Sequence, residues 1–317
     1  MISIFKTQSN FPFVPNRRKA YLVSAAIIGV GLASVLLHGG LKLGVDFTGG
    51  TLMQIHFENP VATDQVRKAL SDEGLAGAEI QKVRDTELIK NAFLVRTGLK
   101  EGTEEAAKAG APAGAAVSNR IVEALQRRLP DNKVTVDSDE TVGPKIGKEL
   151  QWKAFWAVLA GCLLILAYVA FRFDFRFGVA AVAAIAHDVL CTIGFISLTG
   201  MEFNLQSVAV LLTIIGYSIN DSIVVADRIR ENVRKPHKET FAELANRSIN
   251  ETLSRTVITV LTVLFVLVCL QIFAGRVLAD FTKPLLFGLV IGTYSSIFIV
   301  ASVVVDWEIR SPTKRKK

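Results

Sequence analysis

A chain of 317 residues that is half apolar and still 21% charged must keep the two classes in separate blocks. That pattern belongs to membrane spans alternating with solvated segments, and it excludes a single water-soluble core. The net charge of +7 sits beside the apolar runs and not in an aromatic-interleaved patch, so the expected partner is anionic lipid and not nucleic acid.

In chain order, residues 1–19 form an N-terminal segment ending in Arg17, Arg18 and Lys19. Ala20 to His38 is the first run able to cross a hydrocarbon core, which takes about 20 helical residues. It is too long for a signal core and ends without a small-residue cleavage site, so it reads as an uncleaved anchor. Residues 39–150 are expected to fold as a separate α+β domain. Strand-like Thr51 to Phe57, helical Thr63 to Ser71, strand-like Glu79 to Val83 and Phe93 to Thr97, helical Ala116 to Leu129 and strand-like Lys133 to Val136 give the order of a ferredoxin-like split βαβ unit. Gly102 to Gly114, rich in Gly and Ala, is expected to be a loop. The domain carries no constellation of catalytic residues, so binding or mechanical work is expected of it.

Residues 151–310 hold five more runs: Trp152 to Phe171, Phe177 to Thr199, Leu205 to Ala226, Leu253 to Ala274 and Pro284 to Val305. A cytoplasmic loop at 227–252 separates the fourth and fifth spans, and a basic tail occupies 311–317. Within the loop, Thr240-Phe241-Ala242-Glu243 fits a capping box and is expected to open a helix along the inner membrane surface. Lys and Arg near span ends favour the cytoplasmic side. Arg17, Arg18 and Lys19, Arg172 and Arg176, Arg228 to Lys238, and Lys314 to Lys317 all fall on one face of a six-span arrangement. The opposite face has only Arg276 and Lys283 in its short loops, so both termini are expected inside and residues 39–150 outside. Cys162, Cys191 and Cys269 lie in apolar runs without metal-ligand spacing and read as small hydrophobes. No metal, cofactor or catalytic group is expected. The Asn-x-Ser/Thr matches at Asn220, Asn246 and Asn250 fall where no glycosylation occurs and read as chance.

Ionisable side chains inside hydrocarbon cost roughly 2.5 to 3.5 kcal/mol each on insertion scales, so any chemistry is expected where they occur. Asp188 in the third span, Asp221 in the fourth and Arg255 at the start of the fifth are such residues. Gln206, Thr213, Tyr217 and Asp221 follow at spacings of one or two turns and share a face. Arg255, Thr259 and Thr262 form a second polar stripe, and Asp188 with Thr192 a third. The fourth span runs inward and the fifth outward, which puts Asp221 and Arg255 at similar depth, able to pair. Arg keeps its proton, so Asp221 is the member that titrates. Protonating it would free Arg255 and shift helix packing. Two blander readings stand beside these: Arg255 as a residue snorkelling to the interface, and His187 with Asp188 as a helix fastener. Gly288 and Gly292 read as a close-packing pair.

Gly44-Val45-Asp46-Phe47-Thr48-Gly49-Gly50, His187-Asp188-Val189, the run from Gly216 through Asp221 to Asn232, and Ser254-Arg255-Thr256 resemble the SecF-type members of the SecD/SecF family, within the RND superfamily. The resemblance covers nearly the whole chain. It implies a bacterial inner-membrane subunit that pairs with SecD, associates with the SecYEG channel and YajC, and uses protons to help move unfolded preprotein outward. It implies a proton pathway through Asp221 and Arg255; beside that, the polar residues of the spans offer Asp188, Tyr217, Thr213, Thr259 and Asn220 as a candidate secondary relay. Asp46, Gly49 and Gly50 form a structural motif in that reading. The alternative transport reading is half of a proton-coupled small-molecule exporter of the RND type. An intramembrane aspartyl protease using Asp188 and Asp221 is disfavoured by the absence of a Gly-x-Gly-Asp setting, and a non-conducting scaffold would tolerate loss of Arg255.

Overall fold

The computed structural model describes residues 10–75, 77–83, 90–98, 113–172, 175–236, 238–273 and 278–312. Arg276, the basic tail at Lys314 to Lys317 and most of the expected loop from Gly102 lie outside them. Six helices are long and apolar enough to cross a membrane. They are α1 (Arg17–Leu37), α5 (Pro144–Arg172), α6 (Phe175–Leu198), α7 (Leu205–Arg234), α8 (Phe241–Phe273), and a sixth made of α9 (Ala279–Ser295), a π-helical turn (Ser296–Val300) and α10 (Ala301–Arg310). The chain divides into two compact units: residues 1–42 with 156–317, and residues 43–155.

The second unit is built around a four-stranded antiparallel sheet of β1 (Gly50–Phe57), β2 (Glu79–Lys82), β3 (Ala92–Thr97) and β4 (Val134–Val142) in the order β2-β3-β1-β4. Helices α3 (Thr63–Asp72) and α4 (Ala113–Arg128) cover one face. Period-two alternation puts Met53, Ile55 and Phe57 of β1 and Phe93 and Val95 of β3 against Val66, Leu70, Ile121 and Leu125 of the helices. The expected ferredoxin-like order is therefore present. Strand β4 runs six residues beyond the expected Val136, and Ala113 and Gly114 already belong to α4. Residues 137–141 are all polar and lie on an edge strand, so no apolar alternation marks them.

A single turn, α2 (Val45–Thr48), leads into β1. Gly49 (φ 77°) and Gly50 (φ 152°) then turn the chain in conformations L side chains rarely adopt, and a Cβ on Gly50 would sit 2.7 Å from the Thr97 carbonyl oxygen. The Phe47 carbonyl accepts a hydrogen bond from Gln151 at 2.8 Å, and Arg96 donates to the Leu43 carbonyl at 2.9 Å. The glycine pair is thus a backbone joint with Asp46 in its helical turn.

In the helical unit, α6, α7 and the sixth span are the most buried, whereas α5 is almost wholly exposed within the chain. Helices α1 and α6 meet at Gly31 and Gly194, where a Cβ on either would approach the other's backbone to under 3 Å, and Ser34 and Ser197 share a hydrogen bond of 2.9 Å beside them. Arg17 pairs with Asp306 at 2.7 Å, and Arg176 pairs with Glu308. These pairs bring the starts of α1 and α6 and the end of α10 to one end of the bundle. The start of α8 joins them: Asn250 accepts from the Phe11 N–H at 2.8 Å and donates to its carbonyl at 3.0 Å, while Asn246 accepts from the Val14 N–H at 3.1 Å.

The stretch 227–252 is not a loop. Helix α7 continues to Arg234 and α8 begins at Phe241, so six residues, 235–240, separate the helices. The capping box is present, with Glu243 accepting from the Thr240 N–H at 2.9 Å. The helix it opens does not turn along a surface, because nothing from Phe241 to Phe273 breaks the backbone ladder. Leu244, Ala245, Ile249 and Leu253 pack instead on Val225 and Ile229 of α7 and Ala301 and Val305 of α10.

Candidate functional site

The polar residues inside the bundle come together where α6, α7 and α9 are closest. Gly288 and Gly292 on α9 make that approach possible. A Cβ on Gly288 would lie 2.0 Å from Ile214 Cδ1, and one on Gly292 would lie 3.5 Å from Ser218 Cβ and 3.6 Å from Asp188 Oδ2. The expected glycine pair therefore does pack tightly, against α7 and α6.

Asp188 is fully buried, with 0% exposure. Its Oδ2 accepts from Ser218 Oγ at 2.6 Å and lies 2.8 Å from Ser295 Oγ, while Oδ1 is 2.9 Å from His187 Nδ1. A carboxylate in a low-dielectric interior costs several kcal/mol unless its lone pairs are met, and here donors from three helices meet them. Asp188 is therefore the fastener of α6, α7 and α9. Thr192 donates to the Asp188 main-chain carbonyl at 2.8 Å and adds nothing to the carboxylate.

Asp221 is different. It is 5% exposed and accepts no hydrogen bond from any described residue. It lines a cavity of about 10 Å³ together with Tyr217 and Ser218 of α7, Val260 of α8, and Gly288, Gly292 and Thr293 of α9. Arg255 on α8 is the charged group whose field reaches it. Among the described residues no salt bridge of 4.0 Å or less joins the two, so the expected pair is an electrostatic neighbourhood and not a contact. Arg255 itself is exposed within the chain.

The remaining expected residues divide. Tyr217 lines the Asp221 cavity. Thr213 is exposed and donates to the Ala209 carbonyl at 2.7 Å, and Thr259 lies 2.9 Å from the Thr256 carbonyl and 3.1 Å from that of Arg255, so both hydroxyls serve their own helices. Asn220 is exposed. Ser218 and Ser295 carry contacts to Asp188 that the sequence did not disclose. Single serines in apolar helices are common, and the only available signal was the run Gly288, Gly292, Ser295 at helical spacing. Asn246 and Asn250, which matched a glycosylation pattern by chance, hold the N-terminal segment.

The pattern describing the C-terminal part of the SecD/SecF protein export membrane proteins matches residues 121–310, and the SecD/SecF GG motif matches residues 34–61. The chain is 40% identical to the protein translocase subunit SecF of Gemmatimonas aurantiaca, over 98% of this chain and 91% of that one. It is 38% identical to the SecF subunit of Calditerrivibrio nitroreducens over 99% of both. The SecDF protein of Thermus thermophilus is 43% identical over 92% of this chain, which spans 38% of its length. The crystal structure of a SecDF from the same genus, described as a translocon-associated membrane protein, superimposes with a TM-score of 0.80 at 40% identity, covering 97% of this chain and 40% of that one.

Proposed function

We propose, from the premise that the chain belongs to the SecD/SecF family of protein export membrane proteins, that this multi-pass membrane protein couples inward proton flow to outward movement of an unfolded preprotein. The observation that carries the reading is Asp221, a carboxylate buried in the helix bundle, unbonded, beside a small cavity and under the field of Arg255. Burial disfavours its charge and the guanidinium favours it, so the two protonation states are set against each other by packing that can change. Each proton brings about 2.3 kcal/mol per 100 mV of membrane potential, enough to bias a two-state rearrangement.

Arg255 and Asn220 are exposed on helices long and apolar enough to cross a membrane, and inside hydrocarbon an unsatisfied charge is costly. That favours a SecD-type partner covering this side and completing the proton path, as the SecDF relatives carry both parts in one chain. The SecYEG channel and YajC are the further partners of this reading. The basic span ends gathered at one end of the bundle favour a cytoplasmic location for both termini in a bacterial inner membrane. Residues 39–150, inserted between the first two spans, are then periplasmic and work mechanically on the substrate.

Proton-driven export by the reconstituted complex tests the reading. Asp221→Asn abolishes it while assembly with the partner persists, and Arg255→Ala does the same. Unimpaired export by Asp221→Asn removes the residue from the mechanism.

A further inference from the structure

The two acids are separated by one side chain. Ser218 lies three residues before Asp221 on α7, so their side chains share a face, and both line the same cavity. Ser218 also donates to Asp188 at 2.6 Å, within the range of a hydroxyl bonded to a charged carboxylate. Among the described residues, no other side chain both lines the Asp221 cavity and bonds Asp188.

We propose that Ser218 is a positioning residue whose single hydroxyl proton is claimed alternately by Asp188 and Asp221, so that ionisation of Asp221 loosens the fastening of α6 to α7. A serine hydroxyl has one proton to donate. While Asp221 is neutral, that proton stays on the Asp188 bond seen in this structure. Once Asp221 is ionised, its carboxylate has no donor of its own, and the Ser218 hydroxyl turns to it. It reaches Asp221 directly or through one water, for which a cavity of about 10 Å³ has roughly the needed room. Asp188 then keeps Ser295 and His187, which tie it to α9 and to its own helix, and loses its only side-chain bond to α7. No covalent bond changes; one hydrogen bond is exchanged for another.

The surrounding titratable groups are His187 and Cys191 on α6, Tyr217 on α7, Arg255 on α8 and Tyr294 on α9. The α9 wall is suited to a shift of this kind. It is glycine-lined where it faces Ser218 and is followed at once by the π-helical turn Ser296–Val300, a backbone form that accommodates one residue more per turn and recurs at functional sites.

The inference rests on Asp221 being the proton carrier, and its test separates the two. Ser218→Ala and Ser295→Ala each remove one donor to Asp188 Oδ2, but only the first touches the Asp221 cavity. In the full complex, the infrared carboxylate band of ionised Asp221, assigned by its loss in Asp221→Asn, shifts in Ser218→Ala and stays in place in Ser295→Ala. Export falls roughly tenfold further in Ser218→Ala than in Ser295→Ala, the scale of one charge-assisted hydrogen bond. Ser218→Cys, with a weak donor of similar size, shifts the band less and restores part of the activity. Should Ser218→Ala fail to assemble, the Ser218→Cys band alone decides: an unmoved band overturns the inference. Equal effects of the two alanine variants on export and on the band also overturn it. Export by Asp221→Asn refutes the proton-carrier reading itself, whatever the serine variants do.

Discussion

Gly288→Ala and Gly292→Ala add the same methyl group one turn apart on α9, and the structure separates their outcomes. At Gly288 the new Cβ would lie 2.0 Å from Ile214 Cδ1, 2.7 Å from its Cγ1 and 3.2 Å from Thr192 Oγ1. Ile214 is 1% exposed and cannot swing aside, so a backbone or a rotamer must give, a change that costs about 1–3 kcal/mol in a packed interior. At Gly292 the nearest atoms are 3.5 to 3.8 Å away, ordinary contact. On the soluble-protein scale of about 2 to 4 °C per kcal/mol, Gly288→Ala lowers the melting temperature of the detergent-solubilised chain by several degrees and Gly292→Ala leaves it nearly unchanged. Ile214→Val removes the clashing Cδ1. Alone it costs about 0.5–1.5 kcal/mol, and in the background of Gly288→Ala it should cost less than that, because the 2.0 Å overlap is relieved while the retained Cγ1 still stands 2.7 Å from the new Cβ. Melting by size-exclusion fluorescence measures the four variants against wild type. Equal melting of Gly288→Ala and wild type, or a larger loss at Gly292, would refute the packing described for α7 and α9.

Three further outcomes follow from the other parts of the chain. Partial desolvation of the carboxyl, with repulsion from Asp46 added, holds Glu140 above its ordinary range, an effect kept small because the side chain stays open to solvent. The folded state therefore binds this proton more tightly than the unfolded one, so stability declines as pH rises through the carboxylate range and stays lower above it. Glu140→Gln should raise the unfolding temperature of the sheet domain at pH 7 and make no difference in acid, where the wild-type carboxyl is already neutral; a loss at pH 7 would contradict this. Gly50→Ala forces a Cβ to 2.7 Å from the Thr97 carbonyl at φ 152°, strain on the order of 1–3 kcal/mol, and limited proteolysis should find the sheet domain cut faster. Asn250→Ala deletes both hydrogen bonds to the Phe11 backbone, about 1–3 kcal/mol together, and should expose Arg17 and Arg18 to trypsin without altering the rest of the digest.

Much of this was legible in the sequence where burial leaves a periodic mark. Six apolar runs became six membrane-crossing helices, and the period-two segments of β1 and β3 became the sheet core. What escaped notice has no such mark. Helix α5 begins at Pro144, eight residues before Trp152, because a polar helical turn outside an apolar run looks like a linker. Helix α8 runs through Asn246 and Arg247 without pause, since a polar stretch continues a helix as readily as it ends one when no Gly or Pro intervenes. At the site, charge in an apolar context pointed to Asp188, Asp221 and Arg255. Their different environments came only from three-dimensional packing: Asp188 satisfied by serines from two other helices, Asp221 unbonded, Arg255 turned outward. The spacing that linked Thr213 to Asp221 misled because each step of four residues rotates the face by about 40°, enough to carry Thr213 to the exposed side.

The unbroken course of α8 has a mechanical consequence. Thirty-three residues make a rod of about 50 Å, while the hydrocarbon layer is about 30 Å deep, so several turns project beyond it as one stiff piece with the segment that carries Arg255. Such a rod transmits torque: a push or twist on its capped end at Thr240 is delivered to the guanidinium with no joint to absorb it. Whatever grips that end has leverage on the field that Arg255 casts on Asp221, and the reverse stroke is equally available.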